Sequence, residues 1–176
     1  MIKKICTIAI LAFLAINTFA QSKVTRSAVT FKIKNLGFNV EGSYGGFNAD
    51  IKFTPANLAI SSIEASVASS TVNSDNESRD NHLKSDDYFD VAKYPKIIVK
   101  SVSFKHKNGN NYTGNFNVTI KDKTKLIEIP FTYTETGSSA VFKGAFQVLR
   151  TDFGIGGKNV ILSNEANISI ETEISK

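Results

Sequence analysis

From residue 23 onward, hydrophobic and polar positions alternate with a period of two, in segments of roughly 8 to 11 residues rich in Val, Ile, Phe, Thr and Ser. This alternation predicts β-strands with one buried face and one solvated face. The predicted strands are Lys23–Lys34, Phe38–Gly46, Ala49–Phe53, Ser61–Ser69, Lys96–Lys107, Asn111–Lys121, Thr124–Thr134, Ser139–Leu149 and Asn164–Ile174. The pattern therefore predicts nine strands, or eight if residues 38 to 53 form one long bent strand.

Turn chemistry separates several of these segments. Asn108 to Asn111 and Thr136 to Ser138 supply the Asn and Gly residues that adopt positive φ in hairpins, so consecutive antiparallel hairpins are expected. Pro130 falls inside a predicted strand, where its missing amide donor requires a sheet edge or a bulge.

One stretch departs from the period-two pattern. Ser74 followed by Glu77 matches a capping box, which predicts the start of a helix of about ten residues. So short a helix is marginal alone, so we expect it to dock on the sheet through Leu83, with Tyr88 and Phe89 following, as a cap over one end.

The fold class follows from the number of strands. An antiparallel sheet of eight or nine strands exposes its edges unless it closes, and closure at about eight strands leaves room for side chains or one small ligand. We therefore predict an all-β, lipocalin-like antiparallel barrel of about eight strands with one short helical cap. A sandwich of two sheets is the rival architecture.

The N-terminus carries a different signal. Lys3 and Lys4 precede an apolar run from Ile5 to Ile16, and Ala20 ends a short segment typical of a cleavage site. This predicts a signal peptide over residues 1–20 and a single domain over residues 21–176. We expect a periplasmic or secreted protein that loses Cys6, its only cysteine, and so has no disulfide.

Charge and composition narrow the function. Without Lys3 and Lys4, 19 basic residues face 16 acidic ones, a balance of +3 that gives no reason to expect nucleic-acid binding. With only His82 and His106 and no mature cysteine, a zinc site is not expected, and no nucleophile motif accompanies either histidine. We expect no metal, no cofactor and no enzymatic activity. A weaker enzyme hypothesis rests on His82 and the aspartates near it.

The remaining signal is aromatic, with eleven phenylalanines and five tyrosines after residue 20. Phe31, Phe116, Phe142 and Phe146 fall on the inward faces of their predicted strands. They would either fill the core or line a cavity for a long apolar ligand, and the pattern alone leaves both readings open.

Several motifs resemble the YceI-like family, in order and over essentially the whole mature chain. The matching segments are Ser27–Phe31, Asn35–Gly37, Val40–Tyr44, Arg79–Asp90, Tyr94–Ile97, Gly114–Phe116, Val118–Ile120, Thr124–Lys125 and Arg150–Ile155. The block Arg79–Asp90 is the most specific. The chain departs from the family at Val24 to Arg26, where an acidic residue and a histidine are frequent, and at Asp122, where a turn glycine is usual.

The resemblance implies an exported lipocalin-like barrel whose elongated pocket holds a polyisoprenoid or similar amphiphilic lipid. Transient membrane contact and a homodimer are both compatible with it. On this hypothesis, strand parity assigns the cavity lining to Phe31, Phe53, Ile97, Val99, Phe116, Phe142, Phe146 and Phe153. Leu83 and Phe89 would close the mouth, and Arg79 or His82 would meet a polar head. Alternatively, Arg79 and Asp80 only hold the cap in place.

A second hypothesis is a filled barrel that serves as an envelope stress or interaction module without lipid cargo. Interior volume distinguishes the two, because a carrier needs an elongated apolar cavity.

Overall fold

The computed structural model describes residues 22–158 and 160–176, so the predicted signal peptide lies outside the described residues. The strands are β1 (Lys23–Asn35), β2 (Phe38–Tyr44), β3 (Asn48–Lys52), β4 (Ser62–Ala68), β5 (Lys96–Asn108), β6 (Asn111–Ile120), β7 (Lys123–Thr136), β8 (Ser139–Leu149) and β9 (Leu162–Ser175). The helix α1 (Glu77–Lys84) and short 3₁₀ turns at Leu58–Ile60, Ser69–Thr71 and Arg150–Phe153 complete the fold.

All nine strands form one antiparallel sheet in the order β2-β1-β9-β8-β7-β6-β5-β4-β3. The sheet curls on itself, which confirms the lipocalin-like barrel and excludes the sandwich. The end strands β2 and β3 are consecutive in the chain, separated only by residues 45 to 47. The predicted bent strand over residues 38 to 53 is therefore two strands that form the two ends of the sheet.

Main-chain hydrogen bonds link β2 and the corner after it to the end of β4 and to Asn73. The amides of Ser43 and Asn73 each donate to the other residue's carbonyl, at 2.8 and 3.0 Å, and the Ala68 amide donates to the Gly45 carbonyl at 3.2 Å. Gly42 permits the close approach, because a Cβ there would lie 2.5 Å from the Asn73 carbonyl oxygen and 2.4 Å from the Phe31 ring. The edge groups that an open sheet would expose are paired here.

The predicted hairpins are present, with Gly109 and Gly137 at positive φ in the β5–β6 and β7–β8 turns. Pro130 marks a local edge. β7 pairs with β6 along residues 123 to 132, but its pairing with β8 begins only at Phe131. In the part of β7 before Phe131, where β7 does not pair with β8, the buried Phe153 packs in one cluster with Ile129 of β7 and Val148 of β8.

The helix begins later than predicted, and the capping box is wrong. Asn76 is the N-cap, and its side-chain oxygen accepts the Arg79 amide at 2.9 Å. The Ser74 hydroxyl instead donates to the buried Asp80 carboxylate. The helix has eight residues rather than about ten, and within the described ranges no helix is long and apolar enough to cross a membrane.

The interior contains two packed clusters. One lies at the end of the barrel that carries the β5–β6 and β7–β8 hairpins, and its buried members are Ile51, Tyr112, Phe131, Tyr133, Ala140, Phe142 and Ile174, with Phe53 and Phe104 against them. The other lies toward the helix end, with buried members Phe116, Val118, Ile120, Ile129, Val148, Phe153 and Ile155. Phe104 and Ile63 pack against both clusters, so the two clusters are continuous.

Replacing Phe142 by Ala should lower the free energy of unfolding by about 3 to 5 kcal/mol, because the ring is buried among Phe53, Phe131 and Tyr133 and its removal leaves a cavity. Urea denaturation measures the loss. Phe38→Ala is the control, since Phe38 is 77% exposed and should change stability by less than about 0.5 kcal/mol. Equal losses in the two variants would contradict the packed cluster.

Candidate functional site

The helix half of the barrel encloses a cavity of about 340 Å³. It follows the inner face of β1 from Val29 to Asn35, a span of about 20 Å at ~3.3 Å per residue. The volume falls within the ~300 to 1,000 Å³ typical of small-molecule sites. The space is long, narrow and bounded almost entirely by apolar side chains.

The aromatic cluster of the hairpin half, which we call the aromatic floor, fills the barrel beyond the Val29 end of the cavity without lining it. The Phe53 ring packs against five others, at centroid distances from 4.8 to 5.7 Å. The opposite end meets solvent, because Ile161 and His82 line the cavity and are also exposed. The cavity is therefore blocked at one end and open beside the helix, the β1–β2 hairpin and the β8–β9 loop.

Eight of the twelve residues assigned from the sequence line the cavity: Phe31, Arg79, His82, Leu83, Phe89, Ile97, Val99 and Phe146. The other four pack elsewhere. Phe53 and Phe142 belong to the aromatic floor, and Phe116 and Phe153 lie in the cluster behind the cavity wall. For residues on strands, the period-two alternation predicted correctly which side chains point into the barrel. It could not predict the level along the barrel at which the packed rings end and the cavity begins.

Sequence reasoning missed much of the lining because it favoured phenylalanine. Aliphatic side chains form most of the wall: Val29, Ile33, Val40, Val67, Val118, Ile120, Val148, Ile155, Ile168 and Ile170. The same period-two alternation that gave Phe31 and Phe146 contains these positions, except Ile155, which lies in the β8–β9 loop. Phe47, in the corner between β2 and β3, also lines the cavity, and no strand pattern identifies it.

The helix is fixed over the opening by a polar network around Ser74. The Asp80 carboxylate accepts the Ser74 amide and hydroxyl at 2.9 and 2.5 Å, and Arg79 donates from Nε to the Ser74 hydroxyl at 2.7 Å and from Nη2 to its carbonyl at 2.6 Å. Arg79 therefore holds the cap in place as well as lining the cavity. His82 packs edge-on to Tyr88 at 4.7 Å.

Tyr44 places a hydroxyl in the apolar wall. Its ring contacts Phe31 and Phe89 at centroid distances of 5.7 and 5.8 Å, which connects β1, β2 and the segment after the helix. Burial raises the pKa of Tyr44 well above its usual value, because the phenolate would lose its hydration. The hydroxyl stays neutral and can donate a hydrogen bond.

Asn35 is an unusual wall residue. Its side-chain oxygen is buried and has no hydrogen-bond partner within the described part of the chain. Asn35 pairs with Phe38 across the β1–β2 hairpin and with Leu162 of β9, which places it at the open end. Because a buried unpaired acceptor costs about 1 to 3 kcal/mol, this amide is ready to bind a ligand donor or a water.

Arg150 is a buried cation whose role is structural. Its guanidinium donates to the carbonyls of Ser163, Ile155, Gly157 and Leu162, at 2.9, 2.7, 2.7 and 3.2 Å. These bonds connect the start of the β8–β9 loop with the start of β9 through one side chain. Because the acceptors come from the folded loop, no sequence motif indicates this role.

Two departures from the family pattern have local explanations. Arg26 forms ion pairs with Glu171 and Glu173 on β9, so the opening of β1 has polar contacts of its own. The turn before Thr124 has two residues, with Lys121 at a φ of 57°. Within residues 22–158 and 160–176, no group of three or more His, Cys, Asp or Glu residues could hold a metal ion.

Taken together, the curled antiparallel sheet, the helical cap and the apolar cavity with one opening define a lipocalin-like barrel. The chain belongs to the YceI-like family, whose domain matches residues 21–174.

Relatives and solved structures agree with this assignment. A UPF0312 protein of Vibrio cholerae is 28% identical over 141 residues, which are 76% of this chain and 75% of the relative. BcnA of Burkholderia cenocepacia has a similar fold, with a TM-score of 0.80 at 24% identity over 84% of this chain and 95% of that one. A polyisoprenoid binding domain from Saccharophagus degradans matches with a TM-score of 0.70 at 10% identity, covering 88% and 97% of the two chains.

Arg150→Lys should lower the free energy of unfolding by about 2 to 4 kcal/mol, because an ammonium group cannot reach carbonyls that a planar guanidinium bonds in several directions. Urea denaturation measures the change. Arg26→Lys is the matched control, since Arg26 is exposed and its ion pairs contribute less than about 1 kcal/mol. A loss no larger than that of the control would show that the loop does not depend on Arg150.

Proposed function

We propose that this protein is an exported lipid carrier that holds a polyisoprenoid or similar long amphiphile in its barrel cavity. The observation that carries the proposal is the elongated apolar space in the helix half of the barrel, blocked by aromatic rings at one end and open at the other. The filled barrel of the second hypothesis describes only the hairpin half.

The apolar lining supplies the driving force. Burying one methylene from water contributes about 0.8 kcal/mol, so ten enclosed carbons contribute on the order of 8 kcal/mol. Loss of such a chain into water is slow and unfavourable. A bilayer interior is as apolar as the cavity, so transfer between membrane and barrel is nearly neutral in free energy. A carrier that must both load and unload needs this balance.

The polar atoms of the wall indicate how an amphiphile would lie. The unpartnered oxygen of Asn35 is at the open end and suits a ligand hydroxyl or another hydrogen-bond donor. The inner end of the cavity is lined by Val29 and Ile170 and suits the end of a hydrocarbon tail. The cargo would therefore enter tail first, with its polar end near Asn35.

The comparisons support the chemical class of the cargo. The name of the similar domain from Saccharophagus degradans describes it as polyisoprenoid binding. Together with the apolar wall, this favours a linear isoprenoid over a compact polar ligand. Export rests on the apolar segment between Lys4 and Ala20.

Mass spectrometry of an organic extract of the purified, exported protein tests the proposal directly. We expect a long-chain isoprenoid or acyl lipid in stoichiometric amount, and an N-terminus at residue 21 in the same preparation. Repeated absence of lipid, with no uptake of lipid added afterwards, would favour the interaction module instead.

A cavity-blocking substitution gives a second test. Ala166 lines the cavity, so Ala166→Phe should weaken binding of retinol, an isoprenoid alcohol that fluoresces in apolar surroundings, by at least about tenfold. Ala145→Phe places the same ring on the outer face of β8 and should bind as the unsubstituted protein does. Thermal unfolding confirms that both variants fold, and equal retinol affinity in the two would place the ligand outside the cavity.

A further inference from the structure

The opening of the cavity has an exposed apolar rim. The β1–β2 hairpin contributes Leu36 and Phe38, which are 64% and 77% exposed, and the β8–β9 loop contributes Val160 and Ile161, which are also exposed. The two segments are joined, because the Leu36 amide donates to the Ile161 carbonyl at 2.8 Å. The four side chains therefore belong to one surface rather than to separate loops.

This rim is continuous with the cavity. Phe38 lies opposite Asn35 and two residues from Val40 on the same face of β2, and both of those neighbours line the cavity. Ile161 belongs to the rim and to the cavity lining at once. An apolar path through Phe38, Val40 and Ile161 therefore leads from the exposed rim into the interior, beside the Asn35 amide.

The backbone at Leu36 provides an independent observation. Leu36 and Gly37 have φ angles of 51° and 81°, so both central residues of this two-residue turn are left-handed, as in a type I′ turn. Asn, Asp or Gly adopts this conformation with little strain, whereas a bulky leucine does so at a cost. A strained and exposed leucine at a turn tip is better explained by a contact outside the fold than by the fold itself.

The charges in the two rim segments indicate what kind of surface the rim binds. Residues 34–40 and 157–164 contain Lys34 and Lys158 and no Asp or Glu. Both lysines are exposed beside the apolar side chains. Apolar residues flanked by lysines are typical of surfaces that insert into the interface of an anionic bilayer.

We propose that Leu36, Phe38, Val160 and Ile161 form a docking surface for an anionic lipid bilayer, which places the opening of the cavity against the membrane. This rests on the proposed function, because docking there would let a lipid pass between bilayer and barrel without crossing water.

Sedimentation with vesicles made of equal parts phosphatidylglycerol and phosphatidylcholine tests the proposal. The protein is isolated after export, so that the apolar N-terminal run does not dominate binding. A Leu36→Ser, Phe38→Ser double variant should partition onto vesicles at least about tenfold less than the unsubstituted protein, because each inserted side chain is worth a factor of roughly ten or more. Neither residue lines the cavity, so retinol binding should be unchanged.

An Ile60→Ser, Val102→Ser double variant is the matched control. These residues are 48% and 58% exposed and lie away from the opening, so this variant should bind vesicles as the unsubstituted protein does. Leu36→Asn adds a second readout. It should raise the melting temperature by a few degrees, because Asn tolerates the left-handed turn, and it should also weaken vesicle binding.

The outcomes separate the two proposals. Vesicle binding that is absent, or that is equal in the rim and control variants, would overturn the docking surface. So would a rim variant whose only change is loss of a dimer in analytical ultracentrifugation, since the rim would then cover a second copy. If the unsubstituted protein fails to bind retinol while the vesicle pattern holds, the carrier function is overturned and the docking surface stands.

Discussion

The structure depends on how the curled sheet joins its two ends. β2 and β3 are end strands, yet they are neighbours in the chain. Beside their junction, Ala68 at the end of β4 and Asn73 after it form main-chain hydrogen bonds with Gly45 and Ser43. Closure there depends on backbones that approach closely, which Gly42 allows. Because the barrel closes only at this corner, the strands do not cover the cavity beyond β2. The helix α1 and the residues after it cover that part. The same arrangement that satisfies the edge groups therefore creates the helix-covered opening.

The same strands surround both halves of the interior, but one half is packed with aromatic rings and the other contains the cavity. Toward the hairpins, the ring of Phe53, which follows β3, meets rings from β5, β6, β7 and β8. Such contacts add to the stability that burial gives. Toward the helix, the inward residues are mainly Val and Ile, which are too short to meet across the barrel. The cavity thus follows from side-chain size at different heights along strands of regular geometry.

Much of this could be predicted from the sequence. Period-two alternation gave the nine strands and their inward faces, and Asn and Gly residues gave two of the hairpins, because these signals are local. The N-cap was wrong because Ser74 is used by Asp80, a contact that forms only when the helix is in place. The empty half of the barrel and the role of Arg150 depend on distances between segments far apart in the chain, so no single segment could indicate them. Phe53 shows the limit most clearly, since its inward position was predicted correctly while its place in the floor was not.

The aromatic floor has a consequence for the direction of movement. A channel open at both ends would let a chain pass through, whereas packed rings fill this barrel beyond the Val29 end of the cavity. Under the proposed function, a lipid would leave through the opening by which it entered, polar end first, and the part of a tail longer than the cavity would stay outside. The barrel would then enclose a fixed length of the lipid tail, and differences in tail length would be accommodated at the opening rather than selected inside the cavity.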